Sequence, residues 1–256
     1  MAISWRNKEQ QVEPYNKLAL IYDDVMSHVK YETWANYVSR TIKKYNPSAI
    51  SLVDIACGTG SLLFELYSYD YKLFGFDYSF SMITQARKKF FSLGCFVPLW
   101  QENIKRFSLK YPVDVIICLY DSLNYVITLD ECNEIFKCAF DSLQEKGLFI
   151  FDICTEKNSI KYFDNFFERN KGKNYSYSRK SNYNHATRIH SNIFKINFKQ
   201  ANVTFVEIHK QKIYYIDELK EAINETKFEI VDVFDGFSFN PASENSLRVH
   251  FVLKKV

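Results

Sequence analysis

The chain has 256 residues, 47% of them hydrophobic and 25% charged, with a formal net charge of +3. That length suits one large domain, or one domain with a lid, and the apolar fraction is ample for a core. So slight a positive charge does not imply nucleic acid as a partner, and no stretch approaches the roughly 18 apolar residues of a membrane span.

Residues 1–48 read as a helical segment. The opening Met-Ala-Ile-Ser-Trp-Arg-Asn-Lys holds no apolar signal core, so a cytoplasmic location is expected. Leu18, Ile21, Tyr22, Val25 and Met26 are spaced for one helix face. Trp34, Tyr37, Val38 and Ile42 mark a second helix that stops before Pro47. Strand and helix then alternate: strands over 50–55, 72–76, 95–99, 113–118 and 148–153, with helices over 61–69, 81–92 and 130–144. Gly147 is the expected turn residue between the last helix and strand of that series. Such alternation predicts an α/β fold with a doubly wound, mostly parallel sheet, whose ligands bind beyond the carboxyl ends of the strands.

After Asp152 the pattern changes. Residues 155–173 are polar, aromatic and helix-like. Three β-rich runs follow at 175–183, 185–199 and 201–215, and the alternation in Ile193-Phe-Lys-Ile-Asn-Phe predicts half-exposed antiparallel strands. A helix over 217–226 and strands over 228–234 and 247–254 complete the chain. The expected organisation is a helical lid over 1–48, a nucleoside-binding domain over 49–159 and 216–256, and an antiparallel insertion over 160–215. The six cysteines are scattered, with no C-x-x-C and no histidine pair at metal spacing, so reduced thiols and no metal are expected.

Ser51-Leu-Val-Asp-Ile-Ala-Cys-Gly-Thr-Gly60 carries the most information. A glycine turn follows one strand, and the next strand, Lys72-Leu-Phe-Gly-Phe-Asp77, ends in an acid. Glycines let the backbone approach a ligand, and an acid about twenty residues on accepts from ribose hydroxyls. The dinucleotide form needs a small residue where Leu63 stands, and no Walker Lys-Ser/Thr follows Gly60. A nicotinamide oxidoreductase is therefore disfavoured.

Asp54-x-Ala56-x-Gly58-x-Gly60 resembles motif I of the class I S-adenosylmethionine (AdoMet) methyltransferases, with alanine at the first glycine position. Asp77-Tyr78-Ser79-Phe80-Ser81-Met82 resembles the family's D-x-S-x-x-M, and Trp100-Gln-Glu-Asn103-Ile104 stands where the family reads adenine. Leu119-Tyr120-Asp121-Ser-Leu-Asn124-Tyr125 occupies the place of motif IV. Tyr15-Asn-Lys-Leu-Ala-Leu-Ile-Tyr22-Asp23 resembles the N-terminal Y-x-x-x-A-x-x-Y-D of small-molecule methyltransferases. Together with the run at Asp121 to Tyr125, it resembles a bacterial subgroup of mostly unassigned substrate.

The resemblance implies a seven-stranded Rossmann-like methyltransferase sheet, AdoMet as cofactor, and an insertion that covers the site and sets acceptor choice. It implies that Asp54, Ala56, Gly58 and Gly60 shape the methionine side of the pocket, that Asp77 and Tyr78 lie at the ribose, and that Met82, Asn103 and Ile104 hold the adenine. The backbone near Leu119 is expected to help bind the amino-acid end, and Tyr15, Tyr22 and Tyr120 to wall the sulfonium. Asp121 is the first candidate base, with Asn124 orienting an acceptor or capping a helix, and His28, His190 and His209 as other bases. The segment 240–248 closes the pocket or is a solvated turn.

The acceptor is expected to be a small molecule, in a monomer or homodimer. Base-amino enzymes carry N/D-P-P-Y/F where this chain has Leu-Tyr-Asp-Ser, and Cys118 lacks the preceding proline of a cytosine C5 nucleophile. An RNA or protein methyltransferase and a non-catalytic AdoMet-binding module remain as alternatives.

Overall fold

The structure, a computed structural model, describes residues 8–256. The residues before Lys8, on which most of the expectation about a signal core rests, lie outside the described residues. The described chain opens with a strand, β1 (Lys8–Val12), where a helix was expected. Its sequence Lys-Glu-Gln-Gln-Val has no apolar alternation and lies almost wholly exposed, so no pattern could announce it. The expected first helix is broken into a 3-10 turn (Leu18–Leu20) and the single turn α1 (Tyr22–Val25). The second helix forms as expected. It is α2 (Tyr31–Tyr45), and it buries Trp34, Tyr37, Val38 and Ile42 along one face.

The alternating region builds β2 (Ser51–Asp54), α3 (Ser61–Leu66), β3 (Lys72–Asp77), α4 (Phe80–Ser92), β4 (Leu99–Gln101), β5 (Val113–Cys118), α5 (Leu129–Ser142) and β6 (Leu143–Cys154). β4 starts four residues later than expected, just after Pro98, which has no N–H to give a ladder. β6 begins at Leu143, directly after α5, so Gly147 lies inside the strand and is not the helix-to-strand turn. The segment expected to be helix-like over 155–173 splits into α6 (Glu156–Tyr162) and a further strand, β7 (Phe167–Lys171). β8 (Tyr175–Asn184), β9 (Ile189–Phe198) and β10 (Val203–Lys212) follow, then α7 (Ile216–Asn224), β11 (Phe228–Asp235) and β12 (Arg248–Lys255).

Two sheets result. The larger has seven strands in the order β11-β12-β6-β5-β2-β3-β4, with β12 antiparallel to both its neighbours and the β6-to-β4 strands mutually parallel. One face packs on α2, α3 and α4 through residues such as Val38, Leu63 and Ala86; the other packs on α5 and α7 through Phe136, Ala139 and Leu219. The chain runs outward from β2 to β3 and β4, then returns to β5 on the other side of β2. That reversal leaves a crevice past the carboxyl ends of β2 and β5, where open α/β sheets place their ligands. The smaller sheet has the order β1-β10-β9-β8-β7. It is antiparallel except that β1 runs parallel to β10. It thus has five strands rather than the three runs expected, with one supplied by the N-terminal segment.

Two glycines bear on the site. Gly60 has φ +76°, and a Cβ there would meet Phe90 Cε2 at 2.7 Å. Gly60→Ala is therefore expected to destabilise the fold by about 1–3 kcal/mol, read as a lowered urea midpoint. Gly75 in β3 has Leu63 Cδ1 2.6 Å from where its Cβ would stand. The leucine that breaks the dinucleotide fingerprint is accommodated because the β3 residue beneath it carries no side chain.

Candidate active site

A cavity of about 410 Å³ opens at the carboxyl ends of β2, β3 and β5. Its floor is Asp54, Ala56, Cys57 and Gly58 from the turn after β2. Gly58 has φ +54°, and nothing lies within 4 Å of where its Cβ would be, so its backbone faces open space. Asp77, at the end of β3, turns one carboxylate oxygen to Gly58 N at 2.9 Å and the other to Ser79 N at 2.8 Å. Ser79 caps α4 by accepting from Met82 N, which brings Met82 onto the wall. Asn103 and Ile104, past β4, form another wall; Leu119 and Tyr120, past β5, form a third. The opposite side is aromatic. Tyr15, Tyr22, Tyr31, Trp34 and Tyr125 line it, with the Trp34 and Tyr120 ring centroids 5.3 Å apart and those of Tyr15 and Tyr22 5.9 Å apart.

The structure therefore gathers Tyr15, Tyr22, Asp54, Ala56, Gly58, Asp77, Tyr78, Met82, Asn103, Ile104, Leu119 and Tyr120 around one cavity. Three expected residues stand apart. Gly60 packs on α4 and does not line the cavity. Asp121 is turned away: Oδ1 pairs with Arg248 Nη2 at 2.7 Å and Oδ2 accepts from Gln211 Nε2 at 2.6 Å. Both of its oxygens are thus engaged by neighbours, and it does not line the cavity. Asn124 is fully buried, accepting from Cys154 N at 2.9 Å and donating to Lys212 O at 2.8 Å. It joins the loop after β5 to β6 and the smaller sheet, and it neither caps a helix nor lines the cavity.

Of the other candidate bases, His28 is exposed, and neither it nor His190 lines the cavity. Burial pushes His190 down to about 4, with Arg179 adding to the shift. The segment 240–248 does not line the cavity either. Its Arg248 lies over the rings of Trp34 and Tyr120, 5.2 Å from each, and pairs with Asp121 and the buried Asp152. That cation braces a strained strand end, because Tyr120 and Asp121 have φ of +63° and +52°.

The N-terminal segment is tied down at several points. Asp23 accepts from Thr59 Oγ1 at 2.6 Å and pairs with Lys89 at 2.9 Å, so it clasps the glycine turn to α4. Ser79 Oγ donates to Tyr15 O at 2.9 Å. Glu207, fully buried on β10, accepts from Tyr15 N, Lys17 N and Leu18 N at 2.7, 2.6 and 2.9 Å. No sequence motif marks Glu207, because its partners lie about 190 residues away.

The electrostatics fit a cation. Burial raises the Asp54 carboxyl to about 7, opposed by the Ala56 N–H and reinforced by Asp77. Burial likewise raises Asp77 to about 6, opposed by the N–H groups of Ser79 and Gly58. Among the described residues Lys105 is the one Lys or Arg on the wall, and it is paired with Glu131 at 2.6 Å. Two desolvated carboxylates among aromatic faces suit a positively charged nucleoside such as AdoMet, whose sulfonium needs no anionic phosphate site.

A nucleoside pocket at the switch point of a seven-stranded sheet defines a Rossmann-like, cofactor-binding enzyme class. Comparison with known proteins narrows it. A model described as "Methyltransferase domain" matches residues 52–147, and one for the ubiE/COQ5 methyltransferase family matches residues 5–97. A protein of Geobacillus sp. (strain WCH70) named as a methyltransferase is 28% identical over 245 residues, covering 94% of this chain and 99% of its own. The crystal structure of an S-adenosylmethionine-dependent methyltransferase from Clostridium acetobutylicum ATCC 824 superposes with a TM-score of 0.80. It is 25% identical and covers 94% of this chain and 98% of its own. A dTDP-4-amino-2,3,4,6-tetradeoxy-D-glucose N,N-dimethyltransferase of Saccharopolyspora spinosa is 33% identical over 119 residues, 45% of each chain. The chain is an AdoMet-dependent methyltransferase with the fold of the class I enzymes, and AdoMet is its cofactor. No helix among the described residues is long and apolar enough to cross a membrane.

A pH dependence of cofactor affinity follows. With raised values, Asp54 and Asp77 hold protons up to about 7 and 6 in the free protein, whereas an unfolded carboxyl loses its proton near 4. The folded chain thus binds the extra protons between those limits, and this contribution to its stability falls as pH rises through that window. A cationic ligand favours the ionised carboxylates, so its binding releases protons. AdoMet affinity is expected to weaken roughly tenfold between about pH 8 and about pH 5.5. Calorimetry in two buffers of different ionisation enthalpy should show the proton release; equal apparent enthalpies at pH near 6 would remove these carboxylates from the ligand's surroundings.

Proposed function

We propose that this enzyme methylates a small-molecule acceptor held in the aromatic half of the cavity. One observation carries the reading: Tyr15, Tyr22, Tyr31, Trp34, Tyr120 and Tyr125 wall the part of the cavity that the N-terminal segment borders, and the whole cavity, at about 410 Å³, is of small-molecule size. The partial likeness to an enzyme named for an amino-sugar nucleotide supports the same class. In this reading the segment 8–45 and the smaller sheet form a cover that chooses the acceptor, and the larger sheet holds the cofactor.

When bound, AdoMet supplies a methyl group already activated by its sulfonium. The chain's own residues bind, align and exclude water. Asp77 would accept from the ribose hydroxyls, and the open backbone at Ala56 to Gly58 would admit the methionine side. Asn103, which already accepts from Lys105 N at 3.0 Å, would meet the adenine edge, with Met82 and Ile104 on its faces. The tyrosine faces would shield the developing loss of charge at sulfur from water. Tyr120 would form the wall beside the reacting atoms.

Incubating the protein and methyl-labelled AdoMet with separated small-molecule, RNA and protein fractions of a cell extract tests the reading. Label in the small-molecule fraction is the expected result. Label confined to RNA or protein overturns it, as does cofactor binding with no transfer to any fraction.

A further inference from the structure

We propose that Tyr15, Tyr125, His209 and Glu207 form a proton relay that takes the proton of the acceptor, so that the methylated atom is a protic oxygen or nitrogen. This deepens the small-acceptor reading and rests on it. Tyr15 and Tyr125 line the cavity, and their hydroxyl oxygens are 2.5 Å apart. Tyr125 OH lies 2.9 Å from His209 Nδ1, and His209 Nε2 lies 3.1 Å from Glu207 Oε2. His209 and Glu207 are buried on β10, at 1% and 0% exposure.

The direction of the relay follows from donor and acceptor inventory. Glu207 holds three backbone N–H groups and acts only as an acceptor toward His209. In the neutral ring His209 therefore carries its proton on Nε2, and its Nδ1 presents a lone pair. Tyr125 must donate to that lone pair, which leaves its oxygen free to accept from Tyr15. The Tyr15 oxygen is then free to accept from a group in the cavity. Tyr15 reaches this position with φ +60°, a backbone conformation few non-glycine residues adopt, held by the bond from its N–H to Glu207. The same carboxylate thus seats the phenol and polarises the imidazole.

As the acceptor atom bonds the methyl carbon, the carbon–sulfur electron pair stays on sulfur. The acceptor's proton passes to Tyr15 oxygen, the Tyr15 proton to Tyr125, and the Tyr125 proton to His209 Nδ1. The resulting imidazolium lies against the Glu207 carboxylate. Around the relay, Phe194 of β9 packs on the His209 ring at 5.3 Å, and Tyr22 faces Tyr15. Asp121 and, from β8, Arg179 are the other charged groups acting on Tyr125; Asp121 is itself held by Arg248 and Gln211. Tyr15 and Tyr125 are the catalytic pair in this scheme, and His209 and Glu207 act through them.

Two measurements test it. In the full chain labelled with ¹⁵N-histidine and bound to S-adenosylhomocysteine, two-bond ¹H–¹⁵N spectra should show neutral His209 with its proton on Nε2 near pH 7. Tyr125→Phe should move the Nδ1 resonance, and Glu207→Gln should erode the tautomer preference. A proton on Nδ1, or a doubly protonated ring persisting to about pH 8, overturns the relay whatever the acceptor is. In the labelled-extract assay, Tyr125→Phe and His209→Gln should slow transfer about a hundredfold with unchanged AdoMet affinity. Wild-type rates in these variants overturn the relay, whereas label found only in macromolecules overturns the small-acceptor reading and leaves the spectra to judge the relay.

Discussion

Glu207→Ala is expected to lower the unfolding free energy by at least about 3 kcal/mol and to free the segment around residues 13–22. The substitution removes the acceptor of three backbone N–H groups and of His209 from a site with no solvent exposure. Each buried donor left unpaired costs about 1–3 kcal/mol, and water entering the gap recovers only part of that. Urea unfolding reads the global cost. Hydrogen exchange reads the local one, and faster exchange at Tyr15, Lys17 and Leu18 should exceed that at the central strands. Glu207→Gln keeps one acceptor oxygen and should fall between. A wild-type midpoint with wild-type exchange at those amides would show that the segment is held by its side chains, chiefly Leu18 and Ile21 packed against Tyr177 and Ile196.

Asp77→Ala is expected to weaken AdoMet binding by about a hundredfold or more while the protein still unfolds cooperatively. A hydrogen bond to a charged group contributes about 1.5–3 kcal/mol, and a ribose presents two hydroxyls to one carboxylate. Asp77 also steadies Gly58 N and Ser79 N, so its loss loosens the glycine turn and the start of α4. Asp77→Asn keeps one acceptor oxygen and should lose less. Calorimetric titration with AdoMet decides the matter; equal dissociation constants for wild type and Asp77→Ala would dismiss the ribose role.

Sequence revealed most about the parts whose partners are near in the chain. Asp54, Gly58 and Asp77 fall within one strand–helix–strand unit, so local sequence and the motif resemblance sufficed to place them on one wall of the cavity. The β-branched and aromatic runs at β5, β6 and β9 marked strands because each buries a face. β1 and β7 were illegible because polar, exposed strands carry no period, and only pairing with β10 and β8 makes them strands. Asp121 and Asn124 were misplaced for a related reason. Their position after β5 is right for an active site, yet their orientation is set by Arg248, Gln211 and Cys154, which only the folded chain brings near. His209 could be named as a base, but Glu207 behind it could not.

The parallel pairing of Lys8 with Val203, and of Val12 with Glu207, has a consequence for biosynthesis. On the ribosome, the glycine turn and its acid emerge early, while the carboxylate that anchors Tyr15 emerges only after four-fifths of the chain. A nascent chain stalled before Glu207 leaves the tunnel should therefore have an unanchored Tyr15, and tight AdoMet binding should await the later release of β12, which pairs with β6 and whose Arg248 braces the turn at Tyr120. Anchoring of the N-terminal segment would then coincide with emergence of β10, and completion of the larger sheet with that of β12.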